Sequence, residues 1–135
     1  MDSRNITWQE IEVAHAMLVM RLPKIAWNLI LAVPRGGLVP ATMLSYYYNA
    51  TVDLTTNHAH ASLRNILVVD DIFGSGSTYR QLLERYPNAT FAALYRHAAF
   101  GSHENAYSGV YLSSDDFVVL PWARNDRMNV ARSII

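Results

Sequence analysis

Hydrophobic and polar positions along the chain switch repeatedly between a helical and an extended period. After Thr7-Trp8-Gln9-Glu10, which has capping-box spacing, Ile11, Ala14, Leu18 and Leu22 recur at helical intervals until Pro23 stops them. Leu29 to Val33 is an unbroken apolar run that reads as a buried strand, and Pro34-Arg35-Gly36-Gly37 is a loop leading into a helix over Leu38 to Tyr48, with Pro40 tolerated in its first turn. The same sequence of strand, small-residue loop and helix returns at Ile66 to Asp71, Ile72 to Gly76 and Ser77 to Tyr86. Thr51 to Thr55 and Ala89 to Tyr95 read as further strands, the latter after the Pro87-Asn88 break, while Gly109 to Leu112 and Phe117 to Leu120 read as edge strands or a cap. Alternation of this kind predicts an α/β fold: a parallel sheet with helices on both faces and a small C-terminal cap or hood. Residues 1–135 are expected to form one domain.

Both small-residue loops have chemistry. Backbone N–H groups left free at a helix N-terminus, and in a Gly/Ser-rich nest before it, favour a phosphate by geometry and dipole. Gly74-Ser75-Gly76-Ser77-Thr78 supplies such a nest, and Asp70 and Asp71 precede it at the carboxyl end of a strand, where carboxylates grip sugar hydroxyls or a divalent cation. In the first loop Gly36 and Gly37 let backbone amides come close, and Arg35 adds a permanent cation, so this loop suits a pyrophosphate and the other a monophosphate. No Gly-Lys-Ser/Thr follows either loop, so neither is a nucleoside triphosphatase loop, and the carboxylates before the glycines separate the second from a dinucleotide fingerprint.

Composition narrows the partners. Of 135 residues 51% are hydrophobic and 16% charged, and eleven basic residues balance eleven acidic ones, which argues against a nucleic-acid surface or a polybasic membrane patch. The chain has no cysteine, so disulfides and thiolate metal sites are excluded, and no apolar run approaches ~18 residues. The polar start Met1-Asp2-Ser3-Arg4-Asn5 lacks the apolar core of a signal peptide, so a cytoplasmic location is expected. Three consecutive rings, Tyr46, Tyr47 and Tyr48, cannot all face one core from a helix; at least one is expected at the surface, as in a subunit contact of a homo-oligomer.

The stretch from Ile66 to Thr78 resembles the signature with which type I phosphoribosyltransferases bind 5-phosphoribosyl-1-pyrophosphate (PRPP). Ile6-Thr7-Trp8, Arg21-Leu22-Pro23, the block from Trp27 to Pro40 and the ending Asp115 to Trp122 resemble the bacterial xanthine-guanine branch of that family. The resemblance implies PRPP and a nucleobase as ligands, with Mg²⁺. It implies that Arg35, Gly36 and Gly37 hold pyrophosphate, that Asp70 and Asp71 hold the ribose hydroxyls or Mg²⁺, and that Gly74, Ser75, Gly76, Ser77 and Thr78 hold the 5′-phosphate. Phe117 falls where the family stacks an aromatic ring on the purine, with the Val118 backbone at the base edge; periodicity alone also allows Phe117 and Val119 as core residues of an alternating strand.

Three departures qualify the resemblance. Gly74 stands where the family has an aspartate thought to take the purine's proton, a loss worth about 10²- to 10⁴-fold in rate, so an acidic base is the better substrate. The family's base-reading lysine aligns with His97, beside Arg96, and either is a candidate donor to a carbonyl, His97 with a pH-dependent charge and Arg96 only by turning inward. Thr55 to Asn65 is a stub of the family's mobile loop, and its His58-Ala59-His60 lacks a third metal ligand, so these histidines are expected to touch phosphate. Two readings follow: an enzyme that transfers phosphoribosyl from PRPP to xanthine, guanine or hypoxanthine, and a weak or inactive PRPP- or nucleotide-binding regulator. A phosphatase or kinase has no nucleophile or ATP loop to support it.

Overall fold

Thr7 caps the first helix as its spacing predicts: its Oγ1 accepts from the Glu10 N–H at 3.1 Å, and the Glu10 carboxylate accepts in return from the Thr7 N–H at 3.3 Å. The computed structural model describes residues 3–60 and 63–124. In chain order these form β1 (Arg4–Asn5), α1 (Trp8–Arg21), β2 (Leu29–Ala32), α2 (Leu38–Tyr48), β3 (Thr51–Leu54), β4 (Ile66–Phe73), α3 (Ser77–Arg85), β5 (Thr90–His97), β6 (Ala106–Leu112) and β7 (Val118–Val119). Single 3-10 turns occupy His58–His60, Ala98–Phe100 and Pro121–Ala123.

Five strands make one parallel sheet in the order β3-β2-β4-β5-β6. Because side chains alternate across a strand, Ile30, Ala32, Leu67, Val69, Ala92 and Leu94 face one side, where they pack with Ile11, Ala14 and Leu18 of α1 and Ala41 and Leu44 of α2. Leu29, Leu31, Ile66, Val68, Phe91 and Ala93 face the other, against Tyr79 and Leu82 of α3 and Tyr86. Leu67 and Leu94 are wholly buried, each worth roughly 1.5–3 kcal/mol of hydrophobic stabilisation. The layers explain the unbroken apolar runs: both faces of these strands are covered.

The sequence-based boundaries need three adjustments. β4 runs on to Phe73, since its pairing with β5 continues to Phe73↔Arg96, so Asp70 and Asp71 lie within the strand's last residues. The Gly109–Leu112 edge strand is the end of a longer β6. Phe117 to Leu120 reduces to β7, which pairs in parallel with β1 as a two-stranded sheet of its own. Of the three tyrosines ending α2, Tyr46 and Tyr47 are exposed, and Tyr48 packs edge-on against Trp27.

Strand order fixes where a ligand fits. The chain steps from β2 outward to β3 on one side, and from β4 outward through β5 and β6 on the other. β2 and β4 therefore flank the point where winding reverses, and the crevice beyond their carboxyl ends is where open α/β sheets take ligands. The loops following these two strands are the two glycine-bearing loops.

Candidate functional site

The first loop leaves β2 at Val33 and is held tightly. The Val33 N–H donates to the Val69 carbonyl of β4 at 2.9 Å, the Gly37 N–H donates back to the Val33 carbonyl at 2.8 Å, and the Leu38 N–H to the Arg35 carbonyl at 3.1 Å. The peptide between Pro34 and Arg35 is cis. A methyl group at residue 37 would lie 2.3 Å from the Val69 carbonyl oxygen, and one at residue 36 would lie 2.1 Å from Asp71 Oδ2. Backbone thus demands glycine at position 37, a side chain at 36 would have to displace the Asp71 carboxylate, and the loop lies directly on the acidic pair of the neighbouring strand. Arg35 is exposed at the loop's tip.

The second loop is open. Gly76 takes a left-handed φ of 91° as the N-cap of α3, with no side chain capping the helix, so the first-turn amides face the loop's concave side. Ser75 Oγ accepts from the Ser77 N–H at 3.3 Å. Gly74 has no heavy atom within 4 Å of a Cβ built on it. Gly74, Ser75, Gly76, Ser77 and Thr78, with Asp70, Phe73 and Phe100, line a cavity of about 220 Å³, a size suited to one phosphate and part of a sugar.

Asp70 and Asp71 stand between this cavity and a wider one. Asp71 lines a hollow of about 600 Å³ together with Arg35, Gly36, Leu38, Trp122 and Arg124. The Asp71 N–H donates to Asp70 Oδ1 at 2.8 Å, and the Ile72 N–H to Asp71 Oδ1 at 2.7 Å. Burial away from water is the main reason the Asp70 carboxyl is pushed up to about 8; the Asp71 side chain adds a hydrogen bond and its negative charge in the same direction. The hard carboxylate oxygens of the pair suit a divalent cation. Among the described residues no three His, Asp or Glu side chains cluster for a metal, so such a cation would complete its shell with ligand oxygens and water.

At the end of β5 the two basic candidates part. Arg96 is corrected as a base contact: its side chain is buried, with Nε donating to Ser108 Oγ at 3.1 Å and the two terminal nitrogens donating to the Gly101 and Ala106 carbonyls at 3.0 and 2.6 Å. Its guanidinium also lies over the rings of Phe73, Phe100 and Tyr111. Alternation along the strand turns residue 96 away from the side that residue 97 faces. His97 instead meets Phe117, with ring centroids 5.7 Å apart and planes tilted by 40°. Its Nδ1 accepts from the Ala99 N–H at 3.2 Å, while its buried Nε2 has no partner among the described residues.

Phe117 is 43% exposed, which corrects the core alternative. The β1–β7 ladder uses the carbonyls of Phe117 and Val119, bonded by the Arg4 and Ile6 N–H groups at 2.8 Å each, so the main-chain groups of Val118 point to the other side. In the stub, His60 is engaged by Asp53: its Nε2 lies 2.7 Å from Asp53 Oδ2, to which the Asn57 side-chain amide also donates at 2.8 Å. The Leu54 N–H first, then His60 and Asn57, hold the Asp53 carboxyl below its ordinary range. Phe100 and Arg124 line the cavities without having been singled out from sequence; Phe100 sits in an irregular turn, and only its stacking on Phe73 at 4.5 Å reveals its role.

No family model matches the chain. Among solved structures it is similar to a purine phosphoribosyltransferase from Pyrococcus horikoshii Ot3, with TM-score 0.73 and 21% identity over 92% of this chain and 95% of that one. It is equally similar in shape to a hypothetical protein from Neisseria gonorrhoeae with bound ppGpp, with TM-score 0.73 and 19% identity over 98% of this chain and 96% of the other. A xanthine-guanine-hypoxanthine phosphoribosyltransferase from Helicobacter pylori matches at TM-score 0.68 and 18% identity over 97% and 98%. The chain has the type I phosphoribosyltransferase fold.

Proposed function

We propose that the protein is a phosphoribosyltransferase that moves the phosphoribosyl group of PRPP to a 6-oxopurine, with Mg²⁺, releasing pyrophosphate and a nucleoside monophosphate. One observation supports this above the rest: two glycine-bearing loops end adjacent parallel strands at the winding reversal, and Gly36 of one touches Asp71 between them. A sugar with phosphate at one end and pyrophosphate at the other matches that spacing of anion-binding corners around a carboxylate pair.

In this reading Gly74 to Thr78 and the α3 amides hold the 5′-phosphate, and Arg35, Gly36 and Gly37 hold the pyrophosphate. Asp70 and Asp71 hold the ribose hydroxyls or Mg²⁺, which when bound offsets the charge of the leaving pyrophosphate. The C1′–oxygen bond to pyrophosphate breaks and a ring nitrogen of the base bonds to C1′. A neutral base also gives up its N–H proton, whereas a base already anionic needs no acceptor. Since Gly74 offers no side chain for that proton, catalysis rests on positioning and charge, and xanthine is the favoured substrate. Phe117, the Val118 backbone and His97 hold the base. The test is pyrophosphate release from PRPP with xanthine, guanine, hypoxanthine, orotate and uracil in turn. Release is expected with xanthine most strongly, and its absence with all five defeats the enzyme reading.

The second reading is a regulator that binds PRPP or a guanine nucleotide without turnover. Gly74 and the short Thr55–Asn65 segment favour it, as does the ppGpp bound in the Neisseria gonorrhoeae structure. Calorimetry separates the two: tight binding of PRPP or ppGpp, no turnover, and no rescue by Gly74→Asp support regulation.

A further inference from the structure

Arg96 is a buried cation without a counter-ion. It is only 6% exposed, and its three hydrogen bonds end on neutral oxygens, those of Ser108, Gly101 and Ala106. It takes part in no ion pair among the described residues. The rings of Phe73, Phe100 and Tyr111, with centroids 5.8, 5.3 and 5.2 Å from the guanidinium carbon, offer only the partial negative charge of their faces. A charge taken out of water is costly until an opposite charge meets it.

The strand register shows where that opposite charge would come from. Arg96 pairs with Phe73, the last residue of β4. Phe73 and Phe100 stack at 4.5 Å with their planes 11° apart, and both line the cavity of the second loop. Phe100 also reaches the loop itself, since a Cβ built on Gly76 would lie 3.7 Å from its Cδ1. A wall one ring thick therefore separates the guanidinium from the space that Gly74 to Thr78 enclose. Aromatic carbon screens a charge far less than water does. Tyr79, in the same wall, feels the charge: burial raises its hydroxyl above the ordinary range, while its bond to Asn105 and the Arg96 charge act the other way. Resting on the reading of this loop as the 5′-phosphate corner, we propose that Arg96 is a positioning residue for that phosphate, a fixed charge behind the aromatic wall that favours the dianion over the monoanion without touching either. The loop amides direct the anion; Arg96 sets how much charge it carries.

The experiment follows ³¹P spectra of inosine monophosphate bound to the full chain as pH is varied. It reads the phosphate's own proton, which matters because Asp70 of β4, Arg80 of α3 and His103, whose ring centroid lies 4.6 Å from that of Phe100, also surround the corner. Free, such a phosphate loses its second proton at about 6; bound, it is expected to lose it at lower pH. A bound value at or above the free one overturns the proposal without any variant. Arg96→Gln removes the charge and keeps an amide for the neutral oxygens. It should raise the bound value by about half a unit to one unit and weaken inosine monophosphate about three- to tenfold, while inosine, which has no phosphate, changes less than about twofold. Arg96→Lys, which keeps the charge, should stay within about twofold of the unaltered protein for both ligands. Equal losses for nucleotide and nucleoside, an unmoved phosphate in Arg96→Gln, or a loss in Arg96→Lys as large as in Arg96→Gln marks a purely structural arginine; each overturns the proposal and leaves the phosphoribosyl reading standing. If neither PRPP nor the nucleotide binds, the reading of the whole site falls, and this proposal with it.

Discussion

The two glycine-bearing loops look alike in sequence and differ in room. In the first, a single added carbon at position 37 would meet a backbone oxygen at 2.3 Å and at position 36 a carboxylate oxygen at 2.1 Å; in the second, a side chain at position 74 would meet nothing within 4 Å. Glycine in the first loop is a demand of packing between β2, β4 and α2. At position 74 no packing demands it: φ there is not left-handed and the space is open. The chain therefore tolerates a side chain at the very place where the resemblance expects a proton acceptor, and the absence of one is a chemical choice made without steric pressure.

The largest effect that sharpens this contrast should come from Gly74→Asp. In an enzyme it should raise transfer to hypoxanthine by about 10²- to 10⁴-fold while changing xanthine transfer much less, measured as initial rates of pyrophosphate release. A folded variant with no gain on hypoxanthine would show that the open loop is not the limiting deficiency. Gly37→Ala should act on the fold instead, lowering stability by about 1–3 kcal/mol in urea unfolding because backbone must shift to admit the methyl group. Full stability in that variant would contradict the tight contact with Val69.

Arg35→Ala comes next, with PRPP affinity expected to fall about ten- to a hundredfold and inosine monophosphate affinity to change less than about twofold, since only PRPP carries the pyrophosphate. Equal losses for both ligands would move Arg35 out of the pyrophosphate role. The smallest effect is a proton count. Asp70 is pushed from its ordinary value of 3.8 up to about 8 in the folded chain, so between these values the folded state holds a proton that the unfolded state has lost. Stability should therefore fall as pH rises through this window, and Asp70→Asn should flatten the slope in denaturation series. Binding of Mg²⁺ with PRPP favours the ionised carboxyl, so calorimetry at pH 6 in buffers of different ionisation enthalpy should detect release of up to about one proton.

Much of this was legible in the sequence, for physical reasons. The buried strands were visible because sheets covered on both faces need apolar residues at every position, as Leu29 to Ala32 and Ile66 to Val69 show. The start of α1 was visible because a capping box is local chemistry. The loops announced themselves through glycines, of which Gly37 is demanded by the Val69 and Val33 backbone and Gly76 by its left-handed φ. Arg96 and His60 were not legible, because the direction of a long or ring side chain is decided by partners remote in sequence: Ser108 and the Ala106 carbonyl for one, Asp53 for the other. The surroundings of His97 were equally hidden, since they depend on a turn whose shape no periodicity encodes.

The pairing of Arg4–Asn5 with Val118–Val119 joins the beginning of the described chain to the segment that bears Phe117, through only two residues on each strand. So short a ladder, closed between positions so far apart along the chain, is expected to open far more often than the five-stranded sheet. The amide protons of Arg4 and Ile6 become natural reporters: quick to exchange with deuterium in the free protein, and slowed when a base seats against Phe117, they would register occupancy of the ring pocket from the opposite end of the polypeptide.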